Sequence, residues 1–443
     1  MGKLIDIALP APVQFVLNRL KQKGYPSYIV GGAVRDRLLE KNPTDMDILT
    51  RAGIDQVRAF FPDQKVRCVG RTFPVCRVND IEVASPRQTG DSDPFPESDL
   101  GCRDFTVNAM AWCPERHILI DPFQGRADLD NRVIRFTRDP AERVDEDPVR
   151  MVRACRFSAR IGGTIEPASM ETILLKADQI KQVPGERIKT EVIKAMAMKR
   201  PSLLFDVLRQ TRLLKNIFPS LDRCFDLDGG PHHNETVFEH CMLVGDALPA
   251  KQPWLRLAGF LHDTGKFDAA RMKDNYLTFA GHETCTRAVK TDLERLRVSG
   301  NDLAYILSLI RVHMRPLQPD TTPKVVRRLL ARLDDARLDV RDFLRMRIAD
   351  RKGNLKKHPY TRGEIKVFLK KTGRCIDQKP VLNMKGLAIS GNRIMWLLGM
   401  KPGPEVGRIK QYLFERVLDR PELNTPEQLA QICLDLQRKN PER

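Results

Sequence analysis

The chain reads as an α+β protein, with a small mixed sheet-and-helix domain over residues 1–140 and helices from there to the end. Three observations predict this. An apolar run, Tyr28-Ile29-Val30, ends in Gly31-Gly32 and passes into the helix-favouring Ala33-Val34-Arg35-Asp36. Short strand-like runs follow at Lys65–Val69, Val75–Val78 and Ile81–Ala84, separated by turn residues. After Ile134-Arg135 the ordered patterns are helical: arginines at 150, 153 and 156, then a basic helical stretch beyond Lys356-Lys357. A length of 443 residues allows about three domains of the usual size, roughly 150 residues each.

In chain order, Val13, Phe15, Val16 and Leu20 fall at helical spacing between Pro12 and Lys23, and Gly24 ends that helix. Gly31-Gly32 lets backbone N–H groups approach a polyphosphate, with Arg35 one turn on. Asp45-Met46-Asp47 then begins a strand-like run, in which residues two apart share a face, so both carboxylates can grip Mg²⁺. Glu82, between Ile81 and Val83, is either a third metal carboxylate or an exposed strand residue. The stretch Cys102-Arg103-Asp104-Phe105-Thr106-Val107-Asn108-Ala109-Met110 starts polar and becomes helical. Its Arg103-Asp104 pair either places a guanidinium on phosphate and a carboxylate on a ribose hydroxyl, or caps the helix. In Glu146-Asp147-Pro148-Val149-Arg150 the proline suits a first helical turn. Asp147 and Arg150 would then sit one turn apart, an acceptor and a forked donor able to read a nucleobase edge while Arg153 and Arg156 neutralise phosphate; the alternative is a solvated face with ion pairs.

Composition narrows the classes. Lys and Arg exceed Asp and Glu by 75 − 57 = 18, a positive balance suited to a polyanion. No apolar run approaches the roughly 20 residues of a membrane span, and the start lacks a signal-peptide core, so a soluble, cytoplasmic protein without membrane partners is expected. Ten cysteines without a Cys-x-x-Cys pair fit reduced thiols. From Gly229 histidines cluster: His232-His233, His240, His262-Asp263, His282 and His313. Imidazole and carboxylate groups spread over helices in this way can assemble transition-metal ions and activate water for phosphoester hydrolysis.

Gly-Gly-Ala-Val-Arg-Asp, Asp-Met-Asp, Arg-Asp-Phe-Thr-Val-Asn-Ala, Gly-Arg-Ala-Asp-Leu, Glu-Asp-Pro-Val-Arg and Gly185-Glu186-Arg187-Ile188 occur in the order seen in class II tRNA nucleotidyltransferases, whose head bacterial poly(A) polymerases share. The resemblance covers about the first 200 residues. It implies a polymerase-β-like head with Mg²⁺ on Asp45 and Asp47. Gly32, Arg35, Arg103, Arg153 and Arg156 would line the nucleotide site, Asp104 would touch the sugar, and Asp147 and Arg150 would template CTP or ATP. Glu186 and Arg187 would steady the neck helices.

The histidine series resembles the HD phosphohydrolase superfamily. That likeness implies His240, His262, Asp263 and Asp350 as ligands of a divalent transition metal, with His282 and His313 on a second metal or substrate phosphate and Lys266 on phosphate. The implied activity is on 2′,3′-cyclic phosphates and phosphomonoesters. Together the likenesses divide the chain into a head (1–140), a helical neck and body with the templating helix (141–228), an HD domain (229–355) and a helical tail (356–443), whose Arg408, Lys410 and Arg416 would hold tRNA. The expected reaction is addition of CCA to tRNA from CTP and ATP without a nucleic-acid template.

Two departures bear on it: Cys102 stands where relatives have a second arginine, and the segment Ser85–Glu97 is short, as in enzymes that add only CC and leave the last A to a partner. Poly(A) polymerase, and a hydrolase whose head senses nucleotides, are the other readings.

Overall fold

The computed structural model describes residues 7–43, 45–69, 75–86, 94–315 and 320–439. Residues 87–93 of the short segment lie outside them. The chain forms two compact units, Met1–Ala195 with Leu203–Asn216, and Met196–Ser202 with Ile217–Arg443.

The first unit is built on a seven-stranded sheet of order β3-β4-β5-β2-β1-β6-β7. The strands are β1 (Ser27–Val30), β2 (Asp47–Thr50), β3 (Val66–Val69), β4 (Val75–Val78), β5 (Ile81–Ala84), β6 (Ala111–Cys113) and β7 (Ile118–Ile120). Only β2 and β5 run parallel; the other neighbours are antiparallel. The strands expected from the β-branched runs are present, β3 beginning one residue late. Val30, Leu49, Ala109 and Ala111 make the sheet's buried face with Leu100.

The first helix, Ala11–Gln22, buries Val13, Val16, Leu17 and Leu20, while Phe15 is 44 % exposed. Phe15 lies two residues, about 200°, from Val13 on a 3.6-residue turn, so Leu17 and not Phe15 completes the apolar stripe. The expected helix after Arg103-Asp104 is also corrected. It is a single 3₁₀ turn, Thr106–Asn108, because the chain at once enters β6 and pairs with β1. Helices Val149–Ile161, Gly185–Met196 and Ser202–Gln210 follow.

The second unit is helical apart from one hairpin among the described residues, Arg271–Lys273 with Tyr276–Thr278. Helices Val237–Ala247 and Pro253–Leu261 approach so closely that a Cβ on Gly245 would meet the Phe260 ring and one on Gly259 would meet Leu248. With the helices this close, the His240 and His262 rings lie 5.2 Å apart. Towards the C-terminus, Gly391–Leu398, Pro404–Asp419 and Pro426–Lys439 share a core of Ile394, Leu413, Val417, Leu429 and Cys433. Arg408 and Arg416 are exposed there, and Lys410 is half-buried. All ten cysteines are free thiols, and no helix among the described residues is long and apolar enough to cross a membrane.

Candidate nucleotide and metal sites

In the first unit a cavity of about 640 Å³ opens where β1 meets its helix. Gly31, Gly32, Arg35, Asp47, Arg103, Asp104, Asp147, Arg150, Arg153 and Arg156 line it, so every residue expected at the nucleotide site, drawn from five separated motifs, faces one space. Gly31 has φ +68, and a Cβ there would lie 2.9 Å from Nη1 of Arg103. The positive φ favours glycine, and a Cβ here would push the guanidinium aside. We expect Gly31→Ala to displace Arg103, raise the nucleotide KM roughly tenfold and cost about 1–2 kcal/mol of stability, read from steady-state kinetics and thermal melts.

Asp47 opens β2 and is half-buried, whereas Asp45 lies just before the strand, is exposed, and is not part of the cavity wall. Met46 between them is buried, so both acids still fall on the side away from the core. Burial and the neighbouring Glu82 carboxylate push the Asp47 pKa up; Arg103 opposes this and Asp45 adds to it. Crowded carboxylates of this kind suit a divalent cation, which relieves their repulsion. Glu82 also pairs with Arg77 across β4 and β5 at 2.9 Å.

The arginines are held by a continuous network. Arg35 is buried, donates to Asn108 Oδ1, and reaches Asp36 at 2.9 Å, where Arg160 also donates at 2.9 Å. Asn108 Nδ2 donates to Asp104 Oδ1 at 3.0 Å, and Arg153 grips Asp104 Oδ2 through Nε at 2.8 Å and Nη2 at 2.5 Å. Glu191, on Gly185–Met196, accepts from Arg153 Nη1 at 3.3 Å and from Arg156 Nε at 2.5 Å. The three guanidiniums of Arg35, Arg153 and Arg156 lie 5.0, 5.5 and 4.2 Å from the centroid of one ring, Phe157.

This overturns the solvated-face alternative for the arginine stripe, since Arg156 is buried. The cap alternative for Asp104 survives in small form. It accepts the Phe105 N–H at 2.9 Å, but its second oxygen belongs to Arg153.

The expectation that Asp147 and Arg150 sit one turn apart on a helix is also corrected. Asp147 is extended (φ −160, ψ 94) before the helix Val149–Ile161 and takes Arg187 Nη1 at 2.9 Å and Nη2 at 2.6 Å; Arg150 Nη1 instead donates to Glu146 Oε2 at 2.6 Å. Proline at 148 starts the helix after Asp147, which frees the aspartate to reach across. Arg187 thus links its own helix to the extended residue before Val149–Ile161, while Glu186 is exposed in the first turn of its helix. Glu191, Asn108 and Phe157 were not singled out from the sequence; Glu191 lies one turn beyond Arg187, the only hint available.

Glu191 is buried and Asp104 largely so, which opposes their charge. Arg153 nevertheless holds Asp104, and Arg156 with Arg153 holds Glu191, below the ordinary carboxylate range. A depressed folded-state pKa stabilises above the unfolded value and loses that contribution as pH falls below about 4. Arg153→Gln should therefore cost roughly 3 kcal/mol at pH 7, with the melting-temperature deficit shrinking towards pH 3; a deficit constant with pH would contradict the pairing.

In the second unit His240, His262, Asp263 and Asp350 converge. Nε2 of His240 lies 3.1 Å from Asp350 and 3.8 Å from Asp263, and Nε2 of His262 lies 3.5 Å from Asp263 and 3.9 Å from Asp350. The nitrogens are aimed by their other ring atoms. His262 Nδ1 donates to Gly259 O at 2.8 Å, His282 Nδ1 to Phe279 O at 2.9 Å and His313 Nδ1 to Ile310 O at 2.5 Å. Each backbone carbonyl orients its ring and turns Nε2 inward. The Nε2 atoms of His282 and His313 lie 3.1 and 3.2 Å from Asp263 Oδ1, which accepts from a ring N–H.

His262 Nε2 is buried with no hydrogen-bond partner, and burial drives its pKa to about 3, so it is an unprotonated, uncommitted donor at the centre of the group. That is the electronic state a metal ligand needs. Burial works against charge on His240, but Asp350 and Glu235 outweigh it and push its pKa up to about 9; a divalent cation among these carboxylates would take over that proton's role. His240, His262 and Asp350, and separately His262, Asp263 and His313, each bring donor atoms within 4.8 Å of one another. Lys266 pairs with Asp263 at 2.7 Å. Glu235, not singled out from the sequence, holds Nδ1 of His233 at 2.6 Å and of His240 at 3.1 Å.

A glycine turn under a strand, an acidic strand start and an arginine helix facing one cavity define a nucleotidyltransferase head. Residues 27–135 match the poly A polymerase head domain family, and residues 163–225 match the family described as the probable RNA and SrmB-binding site of polymerase A. A multifunctional CCA protein from Aromatoleum aromaticum is 35 % identical over 335 residues, covering 68 % of this chain and 79 % of that protein. Poly(A) polymerase I of Haemophilus influenzae is 34 % identical over 235 residues, 47 % of this chain; the chain spans about half, 52 %, of that relative's length. The solved Bacillus stearothermophilus CCA-adding enzyme in complex with CTP has the same fold, with a TM-score of 0.70, 22 % identity, and 98 % of this chain and 100 % of that one covered. The chain belongs to the class II CCA-adding enzyme and poly(A) polymerase family.

Proposed function

We propose that the protein adds CCA to the 3′ end of tRNA from CTP and ATP without a nucleic-acid template, and that its second unit hydrolyses phosphoesters at the histidine–aspartate centre. The observation that carries the first part is the single cavity into which the glycine turn, Asp47, Arg103-Asp104 and the arginine helix all face. Mg²⁺ on Asp45 and Asp47 would lower the pKa of the attacking 3′-hydroxyl and spread charge from the α-phosphate. The chain's own residues do the rest: Arg35, Arg153 and Arg156 hold the triphosphate, Asp104 orients the ribose, and Asp147 and Arg150 read the base. To read it they must exchange Arg187 and Glu146 for the incoming edge.

The deciding experiment supplies tRNA lacking its CCA end with CTP, ATP or both, and sequences the 3′ termini. We expect CCA. Ends halted at CC with both nucleotides present would make it a CC-adding enzyme that needs a partner, and long A tracts would make it a poly(A) polymerase, like the relatives of that name.

For the second unit the support is the buried, uncommitted Nε2 of His262 among Asp263, Asp350 and His240. A divalent transition metal held there would activate water and polarise a phosphoryl oxygen. Hydrolysis of a 2′,3′-cyclic phosphate or a terminal monoester fits the head's chemistry, because a blocked RNA end offers no 3′-hydroxyl to extend.

A further inference from the structure

The proposed phosphohydrolase centre opens into a cavity of about 570 Å³. That is far more than a phosphate group fills and within the roughly 300–1,000 Å³ of sites that enclose whole small molecules. Its walls differ in chemistry. Arg347, Arg351 and Lys357 line it beside Asp263 and Asp350, a cationic side suited to phosphate. The hairpin Arg271–Lys273/Tyr276–Thr278 also lines it, and its Tyr276 and Leu277, with Phe279 just beyond, bring aromatic and aliphatic surface to the same space.

The hairpin forms a platform anchored at its base. Its turn, Asp274-Asn275, has φ +48 and +65, the left-handed pair that closes a two-residue hairpin in the twist of its strands. Lys273 and Tyr276 are directly opposed at that turn, and both line the cavity. At the base of the hairpin, Gly230 (φ +83) is pressed so close that a Cβ would lie 3.0 Å from the Phe279 ring and 3.1 Å from Leu277 O. Phe279 O accepts the His282 Nδ1 proton at 2.9 Å, so the platform is tied directly to a side chain of the centre. Tyr276 is nonetheless 42 % exposed, an aromatic ring turned to a charged cavity with much of its surface uncovered.

Resting on the phosphohydrolase reading, we propose that this hairpin is a nucleoside-recognition element: Tyr276 takes the base of a nucleoside 2′,3′-cyclic phosphate while Lys273 and the cationic wall hold the phosphate. In the reaction, a water oxygen bonds to phosphorus, the P–O bond to one ribose oxygen breaks, and that oxygen takes up a proton, leaving a phosphomonoester. Base–aromatic stacking tolerates any base, so the site would discriminate nucleosides from simple phosphodiesters and not one base from another.

The test measures hydrolysis of 2′,3′-cyclic CMP, an RNA oligomer ending in a 2′,3′-cyclic phosphate, and a synthetic diester without a base, ribose 2′,3′-cyclic phosphate, by the full chain loaded with Mn²⁺ or Ni²⁺. Tyr276→Ala should raise KM for both nucleoside substrates roughly tenfold with kcat little changed, Tyr276→Phe should restore it, and the synthetic diester should be unaffected. Binding of 3′-CMP to the metal-free chain should weaken in Tyr276→Ala by a similar factor. An effect on the RNA oligomer but not on the mononucleotide would assign the platform to RNA ends, and the reverse to free nucleotides. Equal loss on all three substrates, or no change on any, overturns the proposal. A wild-type chain inactive even on the synthetic diester overturns the phosphohydrolase reading, and this one with it.

Discussion

Asp47→Ala is expected to reduce nucleotide incorporation by roughly three orders of magnitude, about 4 kcal/mol of transition-state stabilisation, while RNA affinity stays within about twofold. Asp47 is the acid of the pair that faces the nucleotide cavity, and no other carboxylate of β2 can replace it. Binding of RNA draws instead on the positive balance of the whole chain, which a single acid hardly alters. The stability arm has the opposite sign. Burial and Glu82 raise the Asp47 pKa, so its ionised form is held less well in the folded than in the unfolded chain and contributes stability only when protonated, at low pH. Asp47→Asn removes that unfavourable charge at pH 7. Its melting temperature in EDTA should match or exceed the wild type, and the rise on adding Mg²⁺ with CTP should vanish. Unchanged incorporation in Asp47→Ala would remove Asp47 from the catalytic metal site, and absence of incorporation by the wild-type chain would mean that the head only binds RNA or senses nucleotides.

The second large effect concerns the histidine–aspartate centre. His262→Ala with Asp263→Ala should abolish phosphodiester hydrolysis and weaken metal binding by roughly 100-fold or more, yet leave incorporation intact. His262 contributes the uncommitted nitrogen, and Asp263 is where His282, His313 and Lys266 meet. The milder Glu235→Gln keeps the ligands but loosens Nδ1 of His240, so metal affinity should fall about tenfold. Metal content after dialysis separates these outcomes from simple unfolding. Concerted loss of both activities would argue against separate sites.

What was legible in the sequence divides along a physical line. Gly31-Gly32, Asp45-Met46-Asp47, Arg103-Asp104 and His262-Asp263 are contiguous, and each serves a local geometry that a few residues determine. Strands β4 and β5 were visible because β-branched runs between turns have few other options. Asn108, Glu191 and Glu235 owe part of their role to distant segments: Asn108 meets Arg35, Glu191 meets Arg156 across two helices, and Glu235 meets Leu355. Those distant partners are not announced by the neighbouring sequence. The helix read after Arg103 failed for the same reason, since pairing of β6 with β1 overrode a local preference. Asp147 differed through a rule visible in hindsight, that proline opens a helix and leaves its predecessor extended.

The network around Phe157 gives the nucleotide pocket the character of an ion exchanger. Arg35, Arg153, Arg156 and Arg150 already hold counter-charges of the protein's own, namely Asp36, Asp104, Glu191 and Glu146. On the proposed function, a triphosphate entering here would compete with tethered carboxylates and would not simply land on bare positive charge. The energy released is then a difference between two sets of similar bonds, small for any ligand that fits poorly and favourable only for one whose oxygens match the guanidinium positions. Bulk salt, which competes with diffuse attraction, has little purchase on such an exchange, whereas capture of RNA by the chain's excess positive charge would weaken as ionic strength rises. One molecule would thus hold its polymer by a salt-sensitive grip and choose its monomer by a salt-tolerant one.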